Sequence, residues 1–340
     1  MTQRFSYLLD EIANAEFQQY PFKHIYIDNF LREQDFAAII SAPEVALAPV
    51  SSDEALFDQL FDRGYKILPF PGCIVDKGDY IKWHSSKDIR VRDKTSCGRQ
   101  VKTLCEGFGV TLRLASPSQN GVLAELREFL DGVEFNSALA AKFQISYDET
   151  SPDTGLQKYL DGYEIPPHPD IRKKALTYMV NINPHPDSEN EEHHTHYLTF
   201  KPRYKYVEEY WRGHPEYDRC WVPWDWCETI YQQRQNNSIV AFSPSENTLH
   251  AVKANYNHLK HQRTQLYGNL WYRPDKAVEM VEWEDFQIEP KLDVRKDGQS
   301  MASYLRTYVK RHLPRSVTSA IKTVLPRRTD GGTVLQKHMR

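Results

Sequence analysis

The period of the apolar residues changes once along this chain, and that change limits what it can fold into. Up to residue 130 the plain repeats are helical. Phe5, Leu8, Leu9 and Ile12 share one face, residues 32–41 read as a second amphipathic helix, and Leu123, Leu126 and Leu130 line one side of a third over 121–130. Pro21 closes the first helix, and short strands are expected at 22–27 and 109–114. Beyond residue 140 the plain signals are strands, at 176–182, 238–242 and 264–272, the last alternating most clearly. Helices first and strands afterwards predict a β-rich α+β fold, a sandwich or barrel buttressed by N-terminal helices.

At 340 residues the chain can form one large domain or two modest ones. Hydrophobic and charged shares of 40% and 26% describe an ordinary globular protein. A net charge of −3 gives no polyelectrolyte argument for nucleic acid, so none is expected as a partner. The five cysteines, Cys73, Cys97, Cys105, Cys220 and Cys227, form no C-x-x-C pair. They indicate neither a zinc ribbon nor a disulfide framework, and free thiols suit a reducing compartment. No signal peptide or spanning stretch is read, so the expected location is cytoplasmic.

Residues 187–235 read as a long insertion between strands. It opens acidic and His-rich, with His193, His194 and His196, and continues with Tyr197, Tyr204, Tyr206, Tyr210, Trp211, Trp221, Trp224 and Trp226. The histidines suit a solvated loop or a second metal. The aromatics suit either packing or a wall over a substrate. The segment 301–328 is basic and amphipathic, with nine Lys and Arg against one acid over 301–340. It reads as a helix packed on its own domain, or as a peripheral contact with anionic lipid or an acidic partner. The expected division is therefore 1–290, with a motif-bearing core at 140–275, and a tail at 291–340.

The chemistry concentrates in four residues. His168 and Asp170 stand two apart in Pro167-His168-Pro169-Asp170, His250 follows in Leu249-His250-Ala251-Val252, and Arg263 opens the alternating run to Tyr272. Two imidazoles and a carboxylate on one face of a cation leave three positions open, the facial triad of non-haem Fe(II) sites. A guanidinium nearby can grip a carboxylate through two hydrogen bonds. In order, spacing and strand context these motifs, with Leu156-Gln157-Lys158-Tyr159 and the opening strand Phe22-Lys23-His24-Ile25-Tyr26-Ile27, resemble the Fe(II)/2-oxoglutarate-dependent dioxygenases on their prolyl 4-hydroxylase-like side. The resemblance covers roughly 140–275 and implies a double-stranded β-helix, or jelly roll. It implies His168, Asp170 and His250 as metal ligands and catalytic centre, with Arg263 as the anchor of 2-oxoglutarate and Tyr159 or Tyr178 as auxiliary donors. It implies Fe(II), 2-oxoglutarate and O₂ as the reaction's needs, with ascorbate as an auxiliary reductant. The resemblance then implies hydroxylation, or a related oxidation, over halogenation, since family halogenases lack the carboxylate ligand that Asp170 supplies.

The gap from His250 to Arg263 is 13 residues where the family commonly shows about ten, which leaves Lys260 as the alternative anchor. His185-Pro186-Asp187 repeats the ligand tripeptide but follows its strand, and reads as a turn. Two rival functions stay open: a cupin-like, non-oxidative metal enzyme, and a non-catalytic binding protein on the same fold. The aromatic insertion and basic tail suit a large, ring-containing substrate such as a surface glycan or lipid-linked sugar, while a peptidyl or small-molecule substrate stays open.

Overall fold

The computed structural model describes residues 3–87, 106–115, 121–215, 217 and 220–273. The chain divides into two compact units, Met1–Phe286 and Gln287–Arg340, and the second, with the basic segment 301–328, lies outside the described residues. Seven helices are described: α1 Tyr7–Asn14, α2 Glu33–Ile40, α3 Asp53–Asp62, α4 Lys77–Ser86, α5 Val122–Asp131, α6 Val133–Lys142 and α7 Tyr206–Gly213. Side-chain caps start two that the sequence reading left unassigned. The Ser52 hydroxyl accepts from the Ala55 N–H at α3, and the Asp76 carboxylate accepts from the Asp79 N–H at α4. Among the described residues no helix is long and apolar enough to cross a membrane.

Among the described residues twelve strands form two antiparallel sheets. They are β1 Phe17–Gln18, β2 His24–Ile27, β3 Tyr65–Ile67, β4 Thr111–Leu114, β5 Thr150–Tyr159, β6 Glu164–His168, β7 Lys174–Asn181, β8 Thr195–Phe200, β9 Cys227–Gln232, β10 Ile239–Phe242, β11 His250–Lys253 and β12 Arg263–Tyr272. The larger sheet runs β1-β2-β10-β7-β12-β5-β4-β3 and the smaller runs β6-β11-β8-β9. From β5 onward the chain alternates between them, except that β8 and β9 are consecutive in the smaller sheet. The fold is thus a β-rich α+β arrangement.

The period of two sorts side chains onto the two faces of the larger sheet. Leu176, Tyr178 and Val180 of β7 and Leu266 and Leu270 of β12 join Leu8, Ile12, Phe57, Leu126 and Phe135 in a core on the helical side. Gly268 belongs to that face because a Cβ there would lie 2.1 Å from a Tyr178 ring carbon. The opposite face of β12 carries Arg263, Gln265, Tyr267 and Asn269, which line a cavity with residues of the smaller sheet. Met179, Tyr197, Val240 and Phe242 pack close by in a small cluster of their own.

The segment 187–235 differs from the expected insertion. It supplies β8 and β9, half of the smaller sheet, so it is part of the framework. Trp211 and Val207 of α7 pack with Leu198, Phe200 and Cys227 in a separate core, against which Trp224 and Trp226 lie. Of the insertion's tryptophans only Trp221 lines the cavity between the sheets. The aromatic density therefore reflects a second core more than a substrate wall.

Candidate metal centre

The two histidines meet because β6 and β11 are neighbours. His168 and His250 are register partners, and their ring centroids lie 4.3 Å apart. β6 can carry Pro166 and Pro167 because it is an edge strand of the smaller sheet, its free side meeting only an isolated bridge from Phe108 to Glu164. Each imidazole is oriented from behind by a backbone carbonyl. His168 Nδ1 donates to Pro166 O at 2.8 Å, and His250 Nδ1 donates to Thr248 O at 3.0 Å. With the proton on Nδ1, the Nε2 lone pair of each ring is left for a cation. Burial holds both rings neutral. It takes His168 down to about 3, helped by its neighbour His250, and lowers His250 as well.

Asp170 completes the group. The strand ends at His168, and the chain turns through Asp170 at φ 68°, a left-handed conformation that Asp tolerates better than most residues. Its Oδ1 lies 3.7 Å from His168 Nε2 and its Oδ2 lies 3.8 Å from His250 Nε2. The three ligand atoms fall within 4.8 Å of one another, a spacing one cation can bridge. Both carboxylate oxygens already have partners, Lys174 Nζ on Oδ1 at 2.6 Å and the Thr177 hydroxyl on Oδ2 at 2.7 Å. Burial alone would raise the Asp170 carboxyl, but the Lys174 ammonium overrides it and holds the group well below the usual carboxylate range.

Arg263 opens β12 and is 1% exposed. One guanidinium nitrogen, Nη2, donates to Thr195 Oγ1 at 2.9 Å, and the group lies over the Tyr159 ring at 4.4 Å. Nε and Nη1 are buried with no hydrogen-bond partner. Burial lowers its pKa from the ordinary arginine value. A buried cation with two unpaired donors is costly by itself, on the order of 1–3 kcal/mol or more for each group left unsatisfied. The arrangement fits a carboxylate that arrives with its own charge. Arg263, Thr195, His168, Asp170 and His250 all line one cavity of ≈ 340 Å³.

The other expected residues separate clearly. Tyr159 lines the cavity, but its hydroxyl donates to Gln157 Oε1 at 2.7 Å, so it offers Arg263 a ring face. Tyr178 does not reach the site. It lies on the helical face of β7, its hydroxyl 2.7 Å from Thr154 Oγ1 and its ring edge-on to Phe135. Lys260 is exposed, on a loop from Ala254 to Gln262 whose Tyr256 hydroxyl accepts from the Arg263 N–H at 2.9 Å. His185 accepts from the Asp187 N–H and opens a short 3₁₀ turn. His193, His194 and His196 form no ligand group among the described residues. Sequence reading missed Lys174, Thr177 and Thr195. Only their places around Asp170 and Arg263 reveal them, since a lysine beside a strand and a threonine in a His tract carry no signal of their own.

A second group of the same composition, Asp53, His84 and His258, is an ion-pair network. His258 Nδ1 accepts from the Asp161 N–H at 2.9 Å, so its proton is on Nε2, which donates to Asp53 Oδ1 at 2.6 Å. His84 is bonded through both ring nitrogens, to Asp53 at 2.6 Å and Asp161 at 3.1 Å. Neither ring keeps a lone pair for a metal.

No family model matches the chain, and no curated protein matches it. Among solved structures it is similar to a Pseudomonas putida prolyl-4-hydroxylase at 8% identity and TM-score 0.40, over 79% of this chain and 99% of that one. It is also similar to a non-haem α-ketoglutarate-dependent epimerase from nogalamycin biosynthesis at 11% identity and TM-score 0.32, over 84% and 92%. A Burkholderia pseudomallei oxidoreductase of the 2OG-Fe(II) oxygenase family matches at 8% identity and TM-score 0.28, over 66% and 93%. Likeness of that order leaves the chemistry to be argued from the site itself.

Proposed function

We propose that the chain is an Fe(II)- and 2-oxoglutarate-dependent oxygenase that hydroxylates a small molecule, built on a double-stranded β-helix. The observation that carries the reading is the guanidinium of Arg263, with Nε and Nη1 unpaired, in the same cavity as three converging ligand atoms. A metal site alone accounts for the three ligands but not for a buried cation held short of partners beside them. Support for the jelly roll comes from the strand order. Strands β5 to β12 divide into β10-β7-β12-β5 and β6-β11-β8-β9, the alternation that winding a two-stranded ribbon into a sandwich produces.

The residues divide the work. His168, His250 and Asp170 offer three donors from one side, so the opposite side of a cation stays open. Arg263, oriented by Thr195 and Tyr159, holds the far carboxylate of 2-oxoglutarate. Phe242 stands edge-on to His250 at 5.1 Å and helps exclude water from the ligand rings. What iron and 2-oxoglutarate supply when bound is dioxygen activation, in which the keto acid leaves as succinate and CO₂ while one oxygen atom enters a substrate C–H bond. Gln157, Lys174, Tyr267, Asn269 and Trp271 form the wall on which a substrate lies. A cavity of ≈ 340 Å³ that also holds 2-oxoglutarate suits a single small ring or amino-acid-sized molecule better than a long glycan.

The test is succinate formation from 2-oxoglutarate by the purified full chain with Fe(II) and O₂. His168→Ala and His250→Ala are expected to abolish it. Arg263→Ala is expected to weaken 2-oxoglutarate binding by about a hundredfold, the loss of a buried charge-assisted pair. Turnover unchanged in His168→Ala, or 2-oxoglutarate affinity unchanged in Arg263→Ala, rejects the assignment.

A further inference from the structure

Three side chains bring buried charge to the candidate metal centre: Asp170, Lys174 and Arg263. Among the buried side chains, one negative charge faces two positive ones before any cation arrives; Glu106 and the partly exposed Arg113–Asp153 pair also line the cavity. The single carboxylate is already matched by an ammonium 2.6 Å away, and the two side chains are 4% and 10% exposed. Lys174 is held there. Its Nζ also donates to the Tyr267 hydroxyl at 2.8 Å and lies 5.5 Å from the ring centres of Tyr267 and Trp271. Thr177 holds the other carboxylate oxygen. A divalent cation entering this pocket meets two neutral imidazoles, a carboxylate whose charge is cancelled, and the repulsion of a fixed ammonium in a poorly solvated setting.

We propose that Lys174 is a charge counterweight to Asp170, which keeps the affinity for a bare divalent cation low and makes firm cation binding depend on a dianion bound at Arg263. The proposal rests on the oxygenase reading of the same site. A dianion lowers the local charge by two and removes the penalty that Lys174 imposes. By linkage, the cation and the dianion strengthen each other's binding by the same factor. Lys174 acts through Asp170 and is a positioning residue.

The experiment is an anaerobic Co(II) titration of the full chain, followed by visible absorption, with and without 2-oxoglutarate. It compares wild type, Lys174→Met, Lys174→Gln and Lys174→Arg, with thermal unfolding of each metal-free protein alongside. In wild type, 2-oxoglutarate is expected to tighten Co(II) by about thirtyfold, within the usual range of coupling. Lys174→Met and Lys174→Gln are expected to bind Co(II) alone about tenfold more tightly than wild type, with the effect of 2-oxoglutarate shrunk by the same factor. Lys174→Arg is expected to match wild type. Glutamine keeps a hydrogen bond to Asp170 without the charge, so it carries the test if the methionine variant fails to fold. Folded neutral variants that bind Co(II) alone no more tightly than wild type overturn the proposal. So does a weaker methionine variant beside a glutamine variant equal to wild type, which would make Lys174 an orienting donor only. If 2-oxoglutarate binds none of the four, the oxygenase reading falls with the dianion half of the proposal, while the Co(II)-only comparison still decides the counterweight.

Discussion

Asp170 joins a candidate ligand to an unusual backbone. At φ 68° the position suits glycine, so Asp170→Gly removes the carboxylate without straining the turn. What it strands is Lys174, a buried ammonium with its main partner gone. We expect a loss of about 3–5 kcal/mol in urea unfolding, the usual cost of breaking a buried pair from one side. Chloride is expected to recover part of it by occupying the vacated place, and Asp170→Gly/Lys174→Met to recover it without chloride. Asp170→Ala is expected to fall about 1 kcal/mol below Asp170→Gly, because alanine resists the left-handed conformation. Equal stability of the two single variants would mean that the turn relaxes. Tyr178 gives the opposite case. Tyr178→Phe deletes a hydroxyl bonded to Thr154 on the helical side, so 2-oxoglutarate affinity is expected to stay at the wild-type value while stability drops by about 1 kcal/mol. A changed affinity would put Tyr178 back in the site.

At the scale of elements, β7 shows where sequence reading succeeds and where it stops. Its apolar run marks a strand plainly, but every residue from Ala175 to Asn181 is buried, so no polar face says which alternate positions look into the cavity. Thr177 and Tyr178 are equally plausible by composition, and only pairing with β10 and β12 settles that Thr177 faces Asp170. β12 was legible because its alternation is strong. Two prolines kept β6 from reading as a strand, and β8 and β9 were hidden by aromatics that serve a second core. The candidate triad of His168, Asp170 and His250 was legible as a grouping because metal chemistry restricts residue types, whereas lysines and threonines in supporting places are common everywhere. One element-level link deserves a test. Arg172, in the turn after Asp170, donates to the carbonyls of Tyr217 at 2.6 Å and His214 at 3.3 Å and stacks on Trp211 at 3.9 Å. It thus fastens the ligand turn to the end of α7, where a cation is favoured. Arg172→Ala is expected to cost about 2 kcal/mol and Arg172→Lys nearly as much, since a lysine cannot reach several carbonyls in one plane. Chemical denaturation decides it, and a loss below about 0.5 kcal/mol would show the link to be ornamental.

On the scale of the described unit, the network of Asp53, His84, Asp161 and His258 ties α3 and α4 to the turn after β5 and the loop after β11, with Lys87 2.6 Å from Asp161. Burial works against a charge on His84, but hydrogen bonds to Asp161 and Asp53 outweigh it and carry the group from 6.5 to about 9. Its contribution to stability is therefore fully present below about pH 6.5 and is lost as pH rises through about 9. Burial would raise the Asp161 carboxyl, but His84 and Lys87 bring it from 3.8 to about 2, so its contribution is present above about pH 3.8 and is lost as pH falls through about 2. Urea unfolding across pH is expected to show a plateau between these limits and a decline toward pH 9. His84→Gln should lower the plateau and flatten the alkaline limb; an alkaline limb unchanged in that variant would place the titration elsewhere.

The backbone N–H of Asp161 has a further consequence, for stoichiometry. The described residues contain the inventory of two imidazoles and one carboxylate twice, which by composition alone would make two cation sites. One amide proton spends the lone pair that a second site would need. Native mass spectrometry with excess Co(II) is therefore expected to find one ion for the two clusters, and a second ion lost on changing His258 to Gln would mean that the amide had yielded its place.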